Sequence, residues 1–261
     1  MGAEDLIVGI SGYTVRPKRA RKEKPRVSAF SSAKIDKIIE LKPHLVLGFS
    51  DIQSDICSEL IKNGINVLCF NQRSVEEILN VINLLGRIIN QADKAQSFVK
   101  KIKIKLDQIS GSSNKLQVKP KVYFEEWNDP LITGIKWVSE LIEIAGGIDI
   151  FKNKSFEPLA LNRIIKNPSM IVKENPDIII GSWCGKKLKK EEITCRDGWD
   201  KINAVRNNQV YEIKSPLILQ PGPAALTDGL DEIFKIIFKW ENFITCLLYT
   251  SDAADEEDSV D

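Results

Sequence analysis

Short apolar runs alternate with segments of helical periodicity along the first part of the chain. The runs at residues 6–10, 45–49 and 65–70 predict buried strands, because each holds consecutive aliphatic residues between turn-forming ones. Residues 31–40 and 51–63 carry apolar residues at helical spacing and predict the helices between these strands. Strands that alternate with helices in this way indicate a parallel sheet.

A long uninterrupted helical pattern follows over residues 74–109. It contains no proline and a single glycine, Gly86, and Ser74 with Glu77 forms a capping box at its start. One helix of this length would extend about 50 Å, which is longer than a small lobe is wide, so it predicts a helix that bridges two lobes. A coiled coil is the alternative, although the pattern drifts away from strict heptad spacing.

The alternation of strands and helices resumes after a polar linker, and the chain divides into four parts. Strands are expected at 122–125, 178–181 and 210–213, and helices at 137–145, 162–174 and 224–240. The predicted parts are an N-terminal lobe (1–73), the bridging helix (74–109), a C-terminal lobe (110–245) and a tail outside the fold (246–261). The predicted fold class is α/β, with parallel sheets in two lobes and a single long α-helix between them.

A weak internal repeat supports the assignment of two lobes. IIELKPHLVLGFSD (38–51) and IVKENPDIIIGSWC (171–184) share the order of helix end, proline, aliphatic run, glycine and aromatic-bearing turn. The proline ends each helix, and the glycine lets each strand open into a loop at its carboxyl end. Ligands of open α/β sheets bind at such carboxyl ends. Phe49 and Trp183, which stand in the matched turns, are therefore the first candidates for ligand contact.

Several aromatic residues fall in predicted turns directly after strands. They are Tyr13, Phe49, Trp127 and Trp183. Core packing does not readily explain aromatic residues in turns, although each one alone is compatible with a partly buried packing role. Flat, rigid side chains suit a large planar ligand, because they bury much area at a small entropic cost. Together they predict ligand capture in an aromatic-lined cleft between the lobes.

The sequence lacks the usual motifs of catalysis and metal binding. It has no GxGxxG, GxSxG, HExxH or Walker sequence, and His44 is its single histidine. The five cysteines make no zinc spacing with this histidine, and most are expected to be buried small side chains. A disulfide between Cys184 and Cys195 remains open. We therefore expect no enzymatic activity, no catalytic residue, no bound metal and no intrinsic cofactor.

One rival interpretation belongs to another functional class. Glu125, Glu126 and Asp129 cluster near Trp127, and paired carboxylates can act in acid–base chemistry. These groups would suit a metal-chelate enzyme such as a reductase or a chelatase. The alternative is that they cap the loop before the next helix.

Charge is unevenly distributed, although the formal net charge is only +1. Residues 16–26 hold seven basic side chains and one acid. This stretch has three possible roles: phosphate or nucleic-acid binding, contact with an anionic group at the cleft mouth, or a solvated loop. We expect no nucleic-acid partner, because the basic stretch lacks interleaved aromatic residues.

The last residues of the chain are acidic. Residues 246–261 hold six acids and no base, and CLLYTSDAADE looks like the translation of a sequencing-library adapter from metagenomic reads. A genuine acidic tail is the alternative.

The chain carries no sign of a membrane span or of a targeting signal. No window approaches 18 uninterrupted apolar residues, so no transmembrane helix is expected. The first residues, MGAEDLIVGIS, lack the basic and apolar regions of a signal peptide. The compartment therefore stays open at this point.

A set of sequence blocks in a fixed order carries a family resemblance over residues 6–240. They are GISGYTVRP, KIDKIIELKPHLVLG, GINVLCFN, WVSELIEIAGGIDIF, NPSMIVKENPDIIIGSW and VYEIKSPLILQPGPAALTDGLDEI. This order resembles the cobalamin and ferric-siderophore class of periplasmic binding proteins, and within it the vitamin B12-binding members. The resemblance implies two Rossmann-like lobes rigidly bridged by one helix, in a monomer that delivers its ligand to the permease of an ABC importer.

The resemblance also implies a ligand, a location and an incomplete start. The implied ligand is a corrinoid, with a ferric siderophore or haem as the alternative. The family works in the periplasm or at the cell surface, whereas a cytoplasmic corrinoid carrier is the alternative for a chain without a signal. Members have a further strand and helix before the position of Met1, so this chain is expected to begin inside the first lobe.

Site residues carry over only where this chain matches the class. The implied ligand contacts are Tyr13, Phe49, Trp127, Pro130, Leu131 and Trp183. Leu131 is a departure, because the class often has an aromatic residue in that loop. The acids implied to dock on the transporter are Asp55 in the first lobe and Glu191 or Glu192 in the second.

Overall fold

The chain folds into two compact units in a computed structural model that describes the backbone of residues 1–257 and the side chains up to Cys246. Unit 1 contains Met1–Gln72 and Leu79–Ser97, and unit 2 contains Arg73–Ile78 and the chain from Phe98 onward. Among the described residues, no helix combines the length and the hydropathy that a membrane crossing requires.

Unit 1 is built from short strands and helices in alternation. They are β1 (Ile10–Ser11), α1 (Ala20–Glu23), β2 (Arg26–Ser28), α2 (Ile35–Glu40), β3 (Val46–Phe49), α3 (Ser54–Lys62) and β4 (Val67–Phe70). The next helices, α4 (Val75–Ile88) and α5 (Ala92–Ser113), each contribute residues to both units. β1 pairs with β2 and β3 pairs with β4, both in parallel. The register of the second pair sets Val46 opposite Val67 and Phe49 opposite Phe70. The predicted parallel pairing in this part of the chain is confirmed.

The first apolar run does not form the expected buried strand. A 3₁₀ turn occupies Glu4–Leu6, and β1 begins only at Ile10. Leu6 is 64% exposed, and Ile7 and Val8 are exposed as well. The run is apolar in sequence but lacks the burial that the prediction assumed, so the hydrophobic effect does not hold it in a sheet.

The segment predicted as one bridging helix forms two helices, α4 and α5. Asn90, between them, has a left-handed φ of 55°. Its N–H donates to the Arg87 carbonyl (3.2 Å), and the N–H of Gln91 donates to the Gly86 carbonyl (2.6 Å). These two bonds make a Schellman motif, with asparagine at the position that glycine usually takes. The continuous helix of the sequence analysis is thereby corrected.

The predicted capping box at the start of α4 is confirmed. The N–H of Glu77 donates to Ser74 Oγ (3.3 Å), and the N–H of Ser74 donates to Glu77 Oε2 (3.1 Å). The N–H of Arg73 donates to the same carboxylate oxygen (2.5 Å), and that of Val75 donates to Glu140 Oε2 (2.7 Å). The backbone hydrogen bond from Arg73 is the main cause that lowers the pKa of Glu77.

The contribution of Glu77 to stability should depend on pH. Its lowered folded-state pKa means that the contribution is complete above the unfolded-state value of about 4.3 and is lost as the pH falls through the folded-state pKa. We expect Glu77→Gln to reduce the free energy of unfolding by about 0.5 kcal/mol at neutral pH, because solvent screens this exposed carboxylate. Urea denaturation should show that the difference in the free energy of unfolding between the two proteins vanishes at acidic pH. An equal difference at neutral and acidic pH would contradict a contribution from the charged carboxylate.

Unit 2 contains one sheet with helices around it. Its elements after α5 are β5 (Lys121–Asn128), β6 (Leu131–Thr133), α6 (Lys136–Ile144), β7 (Ile148–Asp149), α7 (Lys152–Ser155), α8 (Ser169–Glu174), β8 (Ile178–Gly181), α9 (Glu191–Thr194), α10 (Asn203–Arg206), β9 (Val210–Glu212), α11 (Ser215–Ile218) and α12 (Leu230–Glu257). The strand order is β6-β5-β8-β9, and β7 also pairs with β5. Every pairing is parallel except that of β6 with β5.

The centre of this sheet explains its aliphatic sequence. Ile178, Ile179 and Ile180 of β8 are fully buried, which confirms the strand predicted at 178–181. A parallel strand that is covered on both faces reads as a continuous apolar run rather than as an alternating one. One cluster of the core brings together residues from β5, β8, β9 and the segments between them: Tyr123, Phe151, Ile171, Ile179, Trp183, Ile193, Trp199 and Val210 among others.

The internal repeat corresponds to matching local structure. α2 is followed by Lys42 and Pro43, and α8 by Asn175 and Pro176. Lys42 (φ 46°) and Asn175 (φ 48°) both adopt the left-handed conformation directly before the proline. In each copy the left-handed residue ends the helix, and the proline prevents its continuation into the strand that follows.

Two helices in unit 2 differ from the predictions. The segment 162–174 contains a 3₁₀ turn (Ala160–Arg163) and then α8, because Pro168 interrupts the backbone hydrogen bonding of a longer helix. The closing helix begins as a π-helix (Ala225–Gly229) and continues as α12 to Glu257, past the predicted tail boundary at 246. Residues 258–261 of the predicted tail lie outside the described residues.

Candidate functional site

The predicted ligand residues of unit 1 lie at or after strand ends. Tyr13 follows β1, is 52% exposed, and its N–H donates to Ser11 Oγ (3.2 Å). Phe49 is the last residue of β3, is half-buried, and its N–H donates to Gln53 Oε1 (2.8 Å). Asp55, the predicted transporter contact, is exposed in the first turn of α3. All three occupy the kind of position that the sequence analysis expected.

A pocket of about 560 Å³ opens beside the carboxyl ends of β3 and β4. Its lining includes Ser50, Ser54, Cys57, Cys69, Phe70 and Asn71. The sequence analysis did not predict this pocket. The available signal was the turn Phe70–Asn71, which follows a predicted strand just as Phe49–Ser50 does.

The carboxylate of Glu125 on β5 is the centre of a buried hydrogen-bond cluster in unit 2. This side chain is 0% exposed, and Arg196 donates to both of its oxygens (2.6 and 2.9 Å). Its oxygens also accept from the Trp183 indole N–H (3.0 Å) and the Tyr123 hydroxyl (3.2 Å). Burial is the main cause that raises the pKa of Tyr123 well above its ordinary value. The carboxylate is therefore paired and saturated inside the fold.

Trp183 is a core residue in this structure. The ring is 1% exposed, belongs to the hydrophobic core cluster, and is held by its hydrogen bond to Glu125. The expectation that core packing does not explain an aromatic residue in this turn is therefore wrong for Trp183. Leu131 lies in the same cluster and is buried, whereas Pro130 beside it is exposed. Direct ligand contact by Trp183 and Leu131 stays a prediction, and their burial does not favour it.

Trp127 is a predicted ligand contact of unit 2 whose indole ring is partly exposed to solvent. It lies near the carboxyl end of β5, is half-buried, and packs against the hydrophobic core cluster. Its indole N–H donates to the carbonyl of Asp129 (2.8 Å), and Lys186 Nζ lies 6.0 Å from its ring centroid. The ring is thus fixed on one side by the core and by a backbone acceptor. A flat ligand can stack only on the part of it that remains exposed.

The carboxylates of the rival enzyme interpretation do not converge on one point. Glu125 and Glu126 are neighbours on β5, at a point where the register of β5 with β6 shifts. Glu125 pairs with Arg196, while Glu126 pairs with Arg163, which is itself almost fully buried. Asp129 is exposed in the turn after the strand. Among the described residues, no cluster of three histidine, cysteine or acidic side chains has the arrangement of a metal site.

The two predicted docking acids of unit 2 differ in their surroundings. Glu191 is exposed at the start of α9. Glu192 accepts hydrogen bonds from Asn128 Nδ2 (2.8 Å) and is paired with Lys186 (3.4 Å) and Lys189 (3.1 Å). The hydrogen bond with Lys189 is the main cause that lowers the pKa of Glu192. The docking role of Asp55, Glu191 and Glu192 stays a prediction.

The basic stretch and the cysteines also have defined places. Residues 16–26 include α1, and Arg19 pairs with Glu4 (2.5 Å) and Glu23 (3.5 Å). Cys184 and Cys195 are exposed free thiols, so the disulfide left open between them is not formed here. Cys69 is exposed and Cys57 is half-buried, which corrects the expectation that most of the cysteines are buried.

Comparison with known proteins defines the class. The crystal structure of Staphylococcus aureus IsdE complexed with heme matches with a TM-score of 0.76 at 22% identity, over 90% of this chain and 94% of that one. The predicted α/β class with parallel-sheet lobes is thereby confirmed. A family model described as periplasmic binding protein matches residues 1–217. The chain belongs to this family.

Two relatives give the family its functional range. The uncharacterised ABC transporter substrate-binding lipoprotein YvrC of Bacillus subtilis is 28% identical over 247 residues, which are 91% of this chain and 75% of that protein. The vitamin B12-binding protein of Vibrio parahaemolyticus is 23% identical over 230 residues, which are 86% of this chain and 79% of that protein. The family consists of substrate-binding proteins of transport systems, and the predicted cleft between the lobes stays a prediction.

Proposed function

We propose that this chain captures a corrinoid reversibly, outside the cytoplasm, and presents it to the permease of an ABC importer without changing it chemically. The observation that carries the proposal is the family match over residues 1–217. The relative from Vibrio parahaemolyticus, which is named for vitamin B12 binding, supports a corrinoid as the ligand. The pairing of Glu125 and Glu126 with two different arginines supports binding rather than acid–base turnover, because paired carboxylates in acid–base chemistry must reach one substrate and these two contact separate partners.

The proposed contacts are the predicted residues that keep an accessible side chain. They are Tyr13 and Phe49 in unit 1 and Trp127 and Pro130 in unit 2. We assign Trp183 a supporting role, because its indole and Arg196 hold Glu125 on the strand that carries Trp127. This arrangement holds the backbone of β5 at Trp127 in place before any ligand binds. A ring that is already in position loses little entropy on binding.

Haem is the second candidate ligand. The observation in its favour is the exposed phenol of Tyr13, because tyrosine is one of the residues that ligate haem iron. A corrinoid needs no such residue if it keeps its own axial ligands. Parallel titrations with cyanocobalamin and with hemin, followed by absorbance and calorimetry, separate the candidates. One saturable cyanocobalamin site with an unchanged ligand spectrum supports the proposal, whereas saturable binding of hemin alone overturns the corrinoid assignment, and conversion of either ligand overturns binding without chemistry.

Trp127→Ala should weaken the binding of cyanocobalamin by about tenfold or more. Loss of a stacked aromatic ring removes about 1–3 kcal/mol of binding free energy from buried area and ring contact. Phe156 offers a matched control, because it is an exposed aromatic residue of unit 2 outside the predicted contacts. Phe156→Ala should leave the dissociation constant unchanged. Equal affinity in Trp127→Ala and the unmodified protein would remove Trp127 from the site.

A further inference from the structure

Two cysteines of unit 1 lie side by side in the pocket beside β4. Cys57 belongs to α3 and Cys69 to β4, and Cys69 Sγ donates to the carbonyls of Ser50 (3.6 Å) and Phe70 (3.9 Å). Burial is the main cause that raises the pKa of Cys69, and the neighbouring Cys57 adds to it. Cys57 and Cys69 are both free thiols in this structure, and both line the same pocket.

Gly48 of β3 makes room for the two sulfur atoms. A Cβ atom at this position would lie 3.0 Å from Cys57 Sγ and 3.4 Å from Cys69 Sγ. Gly48 is also the register partner of Cys69 in the β3–β4 ladder. Both thiols therefore crowd over the same point of the backbone, and a side chain there would push them apart.

The thiol pair is open to small solutes. Both cysteines line the pocket of about 560 Å³, together with the polar residues Ser54, Ser58 and Asn71. Buried structural cysteines are inert, whereas accessible ones can react through the thiolate. Cys69 is exposed and Cys57 is half-buried, so both are accessible, unlike a cysteine that only fills a gap in a core.

We propose that Cys57 and Cys69 form a redox-active dithiol that exchanges with low-molecular-weight disulfides entering this pocket. One cysteine thiolate attacks a sulfur of the small disulfide, forms a mixed disulfide and releases the first small thiolate. The second cysteine then attacks the protein sulfur of the mixed disulfide and releases the second. The two protein thiols are oxidised to one disulfide, the small disulfide is reduced to two thiols, and the two protein protons pass to them.

The product would join α3 to β4 covalently. The bond would close the chain between residues 57 and 69, and such closure restricts the unfolded state of this segment. It would also fix the helix that carries Asp55 against the strand that borders the pocket. The inference depends on the geometry of unit 1 and not on the identity of the ligand.

Oxidised glutathione is the probe that tests this proposal. The full chain is reduced, freed of reductant, incubated with the probe, quenched in acid, alkylated in denaturant and mapped by peptide mass. We expect a Cys57–Cys69 cross-link that is two hydrogen atoms lighter than the dithiol. Because the fold holds the thiols together, the cross-link should form at least about tenfold faster than in the denatured chain. No such cross-link, or equal rates in both states, would overturn the proposal.

Cysteine variants identify the intermediate. In Cys69→Ser the exchange should stop at a mixed disulfide of glutathione with Cys57, since the second thiol is gone. Cys195→Ser is the matched control, because it also removes an exposed thiol but should leave the cross-link yield unchanged. A cross-link of Cys57 to another cysteine in the folded unmodified protein would contradict the assignment. The mapping of the unmodified protein decides the question even where a variant folds poorly.

Discussion

Arg196→Met is expected to lower the free energy of unfolding by about 3–5 kcal/mol, the cost of leaving a buried carboxylate without its partner. Glu125 is 0% exposed, and Arg196 supplies two of its hydrogen bonds, at 2.6 and 2.9 Å. Methionine preserves part of the packing that Arg196 makes over the Trp199 ring, where the guanidinium lies 4.5 Å from the centroid. The loss therefore reports the charge and its hydrogen bonds. Guanidinium denaturation measures it.

Two further variants serve as controls for this experiment. In Glu125→Gln combined with Arg196→Met the buried charge is gone, so more than half of the lost stability should return. Lys235→Met breaks the exposed pair with Glu232 instead, and a change below about 1 kcal/mol is expected there. If Arg196→Met cost no more than Lys235→Met, the buried pair would contribute nothing special to the fold.

The same ion pair shows why the role of Trp183 could not be predicted from sequence. A tryptophan directly after a strand, at a sheet edge where ligands bind, looks like a contact residue. Its acceptor, Glu125, is 58 residues away in the chain, and Arg196 is 71 residues away from that glutamate. No local pattern joins these positions. Trp127, in contrast, keeps a half-buried ring at the strand end, as the local pattern indicated.

Two features defined by local physics were predicted correctly. The strand at 178–181 was evident because burial on both faces demands a continuous aliphatic run. The capping box was evident because its two partners are three residues apart. The two paired cysteines were not predictable as a pair, since only the packing of α3 on β4 brings Cys57 to Cys69.

The break between α4 and α5 was only partly predictable, because it depends on a local turn that lacks the usual sequence signal. Glycine and proline are the usual punctuation of helices, and this turn uses Asn90 in the left-handed conformation instead. The single glycine of the segment, Gly86, stood inside the predicted long helix. In the structure it has a packing role, because a methyl group on Gly86 would overlap Cβ of Ala95 on the next helix.

Gly86→Ala is therefore expected to lower the free energy of unfolding by about 2–3 kcal/mol. Alanine is the better helix former by about 1 kcal/mol, so propensity alone predicts the opposite sign. The added methyl group has no space, however, because it meets the fully buried Ala95 and lies 3.2 Å from the Gln91 carbonyl. Overpacking at such a contact must separate the two helices or break the Schellman motif. Urea denaturation measures the loss.

The chain offers both a rescue and a matched control for this prediction. Ala95→Gly removes the opposing methyl group, so Gly86→Ala combined with Ala95→Gly should be more stable than Gly86→Ala alone by at least about 1 kcal/mol. Gly111 of α5 is exposed and has open space where its Cβ would stand, so Gly111→Ala should raise stability by about 0.5–1 kcal/mol. Equal stabilisation by both alanines would mean that α4 and α5 do not meet at Gly86, and the helix would then run on as its periodicity alone predicts.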